Sequence, residues 1–374
     1  MADGPGHAEW GSGRVGAGDG AGARWGAAAL VLGGLVGAAP WAAVASLAWE
    51  RRPYPLDLLS HFTVHLGVMA VLLAVALALL EAAGAIRLRW VALSYALAGA
   101  ALLAGSRLWV RTPGTGAELA GADRVRIVFY NAYGEHTRHD NAFNAWLRDR
   151  GADIVVLIDP PWGHLSDQPW LRRELPFTLE PSAGKQWPIV IASRFPMREE
   201  ALAEYSERVK MSFVARRSQV VRLASGREFL LTAMHPPSPR KERYLLLAER
   251  IVVRDGELIR AWRERTGLPA VVVGDFNSSP VGRVHRVFRS TSGLTGWSPL
   301  VLGGTWHAAL PRWVAVAIDR AWTGGAARVV RMEVGPRFRS DHRPVTVEVE
   351  IGGAIPEQKQ DPSGAVEPGG GAAR

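Results

Sequence analysis

Residues 270–277 read Ala-Val-Val-Val-Gly-Asp-Phe-Asn. A β-branched apolar run with this composition is a buried strand. In an extended segment Asp275 and Asn277 alternate across Phe276, so the two polar groups share one face while the ring turns into the core. The strand therefore ends on a polar pair with a packing anchor between its members. Three further segments have the same form: Tyr130-Asn131, Ile318-Asp319-Arg320 and Ser340-Asp341-His342-Arg343-Pro344. Each sits at or just past the end of an apolar run, where a layered sheet presents functional side chains.

From Val125 onward, short β-branched runs alternate with polar turns, the texture of a layered α/β domain. Asn141 to Arg150 places Phe143, Trp146 and Leu147 on one helical face before an Ile154 to Ile158 strand. Arg240 to Arg265 is a longer amphipathic stretch, with Leu245, Ile251, Ile259 and Trp262 among its apolar positions. Both are scaffold, and their arginines form a solvated face. His235-Pro236-Pro237-Ser238-Pro239 is a rigid segment nearly devoid of backbone donors, and it fixes how the chain leaves its strand.

The chemistry of these strand ends is that of phosphoester hydrolysis. Asp341-His342 sets a carboxylate able to hold a hard cation beside an imidazole able to take a proton near neutral pH. A lone Asp-His or Gly-Asp-Phe-Asn is ordinary turn chemistry. Four such segments, each after a strand, read as one dispersed site. Arg194 and Arg343 flank site motifs and are candidate phosphate ligands, with a structural ion pair the alternative for Arg343.

These segments resemble the endonuclease/exonuclease/phosphatase superfamily over about Val125 to Ile351. The resemblance rests on Asn131 in Val-Phe-Tyr-Asn, the strand from Ala152 to Leu157, Ala192-Ser193-Arg194-Phe195-Pro196, and Thr232-Ala233-Met234-His235. It continues through Gly274 to Asn277, Asp319, and Ser340 to Pro344. It implies a four-layer α/β sandwich, two β-sheets flanked by helices, and a Mg²⁺-dependent phosphoesterase, with Mn²⁺ the alternative metal. Asn131 then binds phosphate and helps hold the metal's water shell, and His235 contacts the phosphoryl oxygens. Asp275 and Asn277 steady the attacking water and the pentacovalent transition state. Asp341 is a metal ligand, and His342 is general base or phosphate clamp, oriented by Asp319. The family usually ends its second strand with Gln-Glu, the Glu being the principal metal ligand; here the pair is Ile158-Asp159. Aspartate keeps the charge but is one methylene shorter, and before Pro160 and Pro161 it is also an ordinary turn residue.

The N-terminal third is of another kind. No charged residue lies between Arg24 and Glu50 or between Asp57 and Glu81, and each interval exceeds the ~20 apolar residues that cross a bilayer. A shorter interval, Arg89 to Arg107, is flanked by arginines that can snorkel and by Trp90 and Trp109. Three membrane helices are expected. His61 and His65 fall one helical turn apart and are expected to face neighbouring helices or the interface. The expected organisation is a flexible tail over 1–23, a three-helix anchor over 24–111, a linker over 112–124, a catalytic domain over 125–351 and a disordered tail over 352–374.

The chain has 374 residues, a net charge of +9, a pI near 10.4 and no cysteine. The last excludes disulfides, zinc-thiolate sites and thiol nucleophiles. The basic balance suits a bilayer of anionic lipids as well as nucleic acid. The distribution of arginines around the spans leans against an external catalytic domain, whereas the resemblance implies an extracytoplasmic one. His235 to Pro239 resembles the membrane-attached members associated with teicoplanin resistance in actinobacteria. The leading expectation is thus a multi-pass cell-membrane phosphohydrolase acting on a lipid-linked pyrophosphate, with no obligate protein partner. A nuclease with the same site is the alternative, and a catalytically dead binding module the third.

Overall fold

The computed structural model describes residues 37–45, 47, 53–83, 89–108, 110–133, 141–160, 169–179, 189–200, 202, 215–299 and 303–353. The expected tail over 1–23, most of the first apolar interval and the C-terminal tail beyond residue 353 lie outside them.

Among the described residues, twelve strands form two six-stranded sheets. The first holds β1 (Asp123–Asn131), β2 (Ile154–Ile158), β3 (Phe177–Leu179), β4 (Ile189–Ser193), β11 (Ala327–Val334) and β12 (Val345–Ile351), in the order β11-β12-β1-β2-β4-β3. The second holds β5 (Met197–Glu199), β6 (Ala215–Arg222), β7 (Glu228–His235), β8 (Ala270–Asp275), β9 (Thr295–Trp297) and β10 (Asp319–Gly324), in the order β5-β6-β7-β8-β10-β9. Each sheet is antiparallel except at its centre, where β1 runs parallel to β2 and β7 parallel to β8. A parallel pair needs a crossover, and a helix supplies it in both cases: Asn141–Arg150 between β1 and β2, Glu242–Thr266 between β7 and β8.

Alternation along the central strands builds the layers. Ile127, Phe129, Val156 and Ile158 meet Leu231, Ala233, Val271 and Val273 between the sheets. The intervening Val128, Tyr130, Val155 and Leu157 pack outward on Phe143 and Leu147 of the first crossover helix. On the far side, Leu230, Val272 and Trp322 pack on Leu245, Val252, Ile259 and Trp262 of the second and on Phe288. Central strands are buried on both faces, which is why β8 reads as an unbroken apolar run. The result is the expected α/β sandwich of two mixed sheets flanked by helices.

One described helix, Thr63–Ala82, is long and apolar enough to cross a membrane. Arg89–Arg107 is helical and lies against it so closely that a Cβ on Gly99 would come within 2.8 Å of the Gly67 carbonyl oxygen. Of the first interval, 37–45 is helical. The chain between the Arg89–Arg107 helix and β1 bonds to the sandwich. Arg111 donates to Gly296 O at 2.8 Å, Gly114 to Val329 O at 3.2 Å, and Leu119 to a Glu350 carboxylate oxygen at 3.2 Å. Backbone donors that a strand would have satisfied are satisfied by the sandwich itself.

Candidate active site

Parallel strands β1/β2 and β7/β8 deliver their carboxyl ends to one side of the sandwich, so Asn131, Asp159, His235 and Asp275 arrive together. Asp275 is the hub. Its Oδ2 accepts from Asn131 Nδ2 at 2.9 Å and lies 3.6 Å from both His235 Nε2 and His342 Nε2. Its Oδ1 accepts the Asn277 backbone N–H at 2.8 Å. Gly274, at φ +150°, permits the approach: a Cβ there would sit 2.0 Å from Met234 O on β7.

The antiparallel pair β8/β10 sets Asp319 opposite Asp275 in register. Asp319 Oδ2 and His342 Nδ1 share a hydrogen bond of 2.8 Å. Ser340 braces this arm: its Oγ donates to Asn131 O at 2.7 Å and accepts His342 N–H at 3.0 Å. Asp159 occupies a left-handed conformation, φ 45°, just past β2, and its Oδ2 is 3.6 Å from His235 Nδ1. Asn277 is also left-handed, and its Nδ2 donates to Pro236 O at 3.1 Å, joining the exits of β7 and β8.

Electrostatics follow from burial. Asp275 is 1% exposed, and desolvation holds its carboxyl above the ordinary value against the pull of His342. Asp159 is raised for the same reason, offset in part by His235 and His342. Burial by itself would lower the His342 imidazole, yet Asp319, then Asp275, the hydrogen bond to Asp319 and Asp341 outweigh it and push it up to about 9. At neutral pH the ring is a cation clasped between two carboxylates.

Two predicted residues fall elsewhere. Arg194 was expected to bind phosphate, but β4 runs antiparallel to β2, so the residue after β4 lands beside the residue before β2. Its guanidinium pairs with Asp153 at 3.1 Å, at the end of β2 opposite Asp159. Arg343 directs its NH2 group to the carbonyls of Ala308 at 2.8 Å and Leu310 at 2.9 Å, bracing a loop. That loop carries a residue with no motif around it. Trp306 Nε1 donates to Asp341 Oδ2 at 2.9 Å, and an indole donor is legible as a partner only once the fold has brought two positions 35 apart in sequence back together.

A hard divalent cation fits the donor set. Asp319 Oδ1 and Asp341 Oδ1 are buried and hydrogen-bonded to nothing among the described residues, a costly state for a carboxylate oxygen without a cation. Asp275, Asp319 and His342 bring ligand atoms within 4.8 Å of one another. His342 is bonded to Asp319 and sits between Asp319 and Asp275, so the imidazole serves that cluster and the unbonded Asp341 Oδ1 is the oxygen best placed for a cation.

A model of the endonuclease/exonuclease/phosphatase family matches residues 128–342, more than half of the sequence and the whole set of strand ends described above. The chain belongs to that family. Its members are metal-dependent phosphoesterases, nucleases and phosphatases, and the chain is accordingly read as a hydrolase. Among solved structures it is similar to an endonuclease/exonuclease/phosphatase family protein of Bacteroides thetaiotaomicron, at 17% identity over 62% of this chain and 99% of that one, TM-score 0.46. It is similar also to truncated Caenorhabditis elegans TDP2, at 15% identity over 63% and 100%, TM-score 0.47. A third is the mannosyl-6-phosphatase Bt3783 of B. thetaiotaomicron, at 16% identity over 60% and 99%, TM-score 0.45. No curated protein matches the sequence.

Proposed function

We propose that this family member is a membrane-anchored Mg²⁺-dependent phosphohydrolase of the teicoplanin-resistance type, cleaving undecaprenyl pyrophosphate or a related lipid carrier to the monophosphate outside the cell. The observation that carries the hydrolase part is the Asp275 hub, a buried carboxylate shared by an amide and two imidazoles at the ends of the parallel strands.

Each residue then has a role. Asp275, its pKa raised by burial, is a stronger base than an ordinary carboxylate and orients the attacking water, with the Asn277 N–H holding its other oxygen. His342, kept protonated by Asp319, presents a charged N–H to phosphoryl oxygens as negative charge builds on them. His235 and Asn131 complete the cradle. Asp159, Asp341 and Asn131 would hold Mg²⁺, which supplies Lewis-acid charge at the phosphoryl group when bound.

The membrane setting is supported by the helix Thr63–Ala82 and its exposed Leu72, Val75, Leu79 and Leu80. It is supported also by the loop that braces the site, which exposes Trp306, Leu310 and Trp313 and whose residues 313–315 lie against His65 of that helix. Aromatic and aliphatic side chains on a rim beside a span suit the bilayer interface. With three spans the anchor occupies 24–111, the N-terminus is cytoplasmic and the catalytic domain 125–351 is external.

The test is phosphate release by the detergent-solubilised protein from undecaprenyl pyrophosphate, nucleotides and DNA, with Mg²⁺ and with chelator, and protease shaving of intact protoplasts. Mg²⁺-dependent release from the lipid and cleavage of the external domain are expected. Activity on DNA far above that on the lipid would make the protein a nuclease, and a protected C-terminal domain would reverse the topology.

A further inference from the structure

The strands β7 and β8 end on His235 and Asp275, and the chain leaves them by two short segments, 236–241 and 277–282. Each segment has only short local bonds of its own, Arg240 N–H to Ser238 O at 2.8 Å in the first and Gly282 N–H to Ser279 O at 3.0 Å in the second. Pro236, Pro237 and Pro239 have no backbone N–H to anchor the first. The second opens the helix Arg283–Ser292, whose N-cap Gly282 has no side chain to offer, leaving within the segment the long bond of 3.4 Å from His285 N–H to Ser278 Oγ. A side chain at Gly282 would displace Ser278 Oγ, which a Cβ there would approach to 2.2 Å.

Both segments are held from one place far away in the sequence, the short helix Tyr54–Ser60 and the His61 that follows it. Tyr54 donates its hydroxyl to Pro239 O at 2.7 Å. Ser279 donates its backbone N–H to His61 Nδ1 at 3.2 Å and its hydroxyl to Ser60 O at 3.4 Å. Asp57, 1% exposed, accepts the backbone N–H of Arg283 at 2.9 Å. It thereby supplies, across 226 residues, the acceptor and the negative charge that a helix N-terminus demands. His61 and Ser60 grip the turn two residues beyond Asn277, and Asn277 is itself bonded to Pro236 beside His235. The contacts therefore lie two residues from Asn277 on one side and four from His235 on the other.

We infer that Tyr54, Asp57 and His61 are positioning residues of the phosphoesterase site: the segment preceding the Thr63–Ala82 helix clamps the exits of β7 and β8 and so sets His235, Asp275 and Asn277 in their working geometry. The sandwich 125–351 is on this account an incomplete enzyme, and the N-terminal segment is part of its active structure as well as its tether. The inference needs only the hydrolase activity and is independent of which phosphoester is the substrate.

The test uses the full chain in detergent with Mg²⁺ and the soluble probe bis(p-nitrophenyl) phosphate, alongside hydrogen–deuterium exchange. Asp57→Ala is expected to lower kcat about tenfold with KM changed less than about twofold, the cost of a displaced catalytic group. Asp57→Asn, which retains an acceptor oxygen, should return kcat to within a few-fold of the parent. Tyr54→Phe, which removes one hydroxyl and leaves the packing, should accelerate exchange in 238–241 while the β1 and β8 amides stay protected. Parental kcat in Asp57→Ala, or parental exchange over 238–241 and 278–284 in both Asp57→Ala and Tyr54→Phe, overturns the inference. So does an Asp57→Asn variant as impaired as Asp57→Ala. The exchange measurement decides even if the parent does not turn over the probe.

Discussion

Asp275 and Asp319 are cross-strand partners on β8 and β10, and His342 lies between them, 2.8 Å from one carboxylate and 3.6 Å from the other. Two buried carboxylates side by side repel unless a cation intervenes. Here the imidazolium is that cation, so the proton on His342 is part of the site's architecture.

Removing either end of this arrangement should abolish activity without unfolding the protein. Asp275→Asn and His342→Ala are each expected to cost roughly a hundredfold or more in turnover, the scale of a lost acid-base or charge-stabilising group. Neither substitution touches the apolar layers. Phosphate release together with circular dichroism checks this; near-normal turnover in a folded, Mg²⁺-loaded variant would remove the assignment.

The shorter carboxylate at Asp159 makes its own prediction. Asp159→Glu should match or raise Mg²⁺ affinity, since the added methylene extends the donor from a backbone position already in place, while Asp159→Asn should weaken it. Calorimetric titration of Mg²⁺ into the three proteins decides. Identical isotherms would make Asp159 a turn residue, as its left-handed φ of 45° before Pro160 also permits.

Trp306→Phe retains the ring and deletes the donor that orients Asp341. The Mg²⁺ concentration for half-maximal activity should rise roughly tenfold, at the low end of what loss of an outer hydrogen bond to a metal ligand costs. An unchanged Mg²⁺ dependence would show that the indole serves the loop alone.

Stability should fall with rising pH above neutrality. The folded state raises His342 from an ordinary ~6.5 to about 9, so between those values the native protein binds more protons than the unfolded chain. The contribution is fully present below about 6.5 and lost as pH passes about 9, a change of roughly 3 kcal/mol at most. Thermal melting in chelator at pH 6, 7.5 and 9.5 should show a descending midpoint for the parent and a flatter one for His342→Gln. Equal slopes would place the titrating group elsewhere.

Much of this protein was legible in local sequence. Strand ends were marked by β-branched runs stopping at Asn131, His235 and Asp275, and the first crossover helix by the spacing of Phe143, Trp146 and Leu147, because residue propensity and periodicity are short-range properties; Asp319, read as the end of a run, instead opens β10. Periodicity tells which face a side chain takes; it does not tell which strand lies beside it or in which direction that strand runs. Arg194 therefore read as a neighbour of the site until the antiparallel β4 carried it to the far end of β2. Asn131 and Asp275, 144 residues apart, became hydrogen-bonded partners only when the two sheets packed. The indole of Trp306 on Asp341 and the carboxylate of Asp57 on the helix at Arg283 are likewise products of packing, since a hydrogen bond between distant segments leaves no periodic trace in either. The class of chemistry and most of the strands that bear it can be read from residue order; which of those side chains meet is set by packing, because meeting depends on strand direction and register across the whole chain.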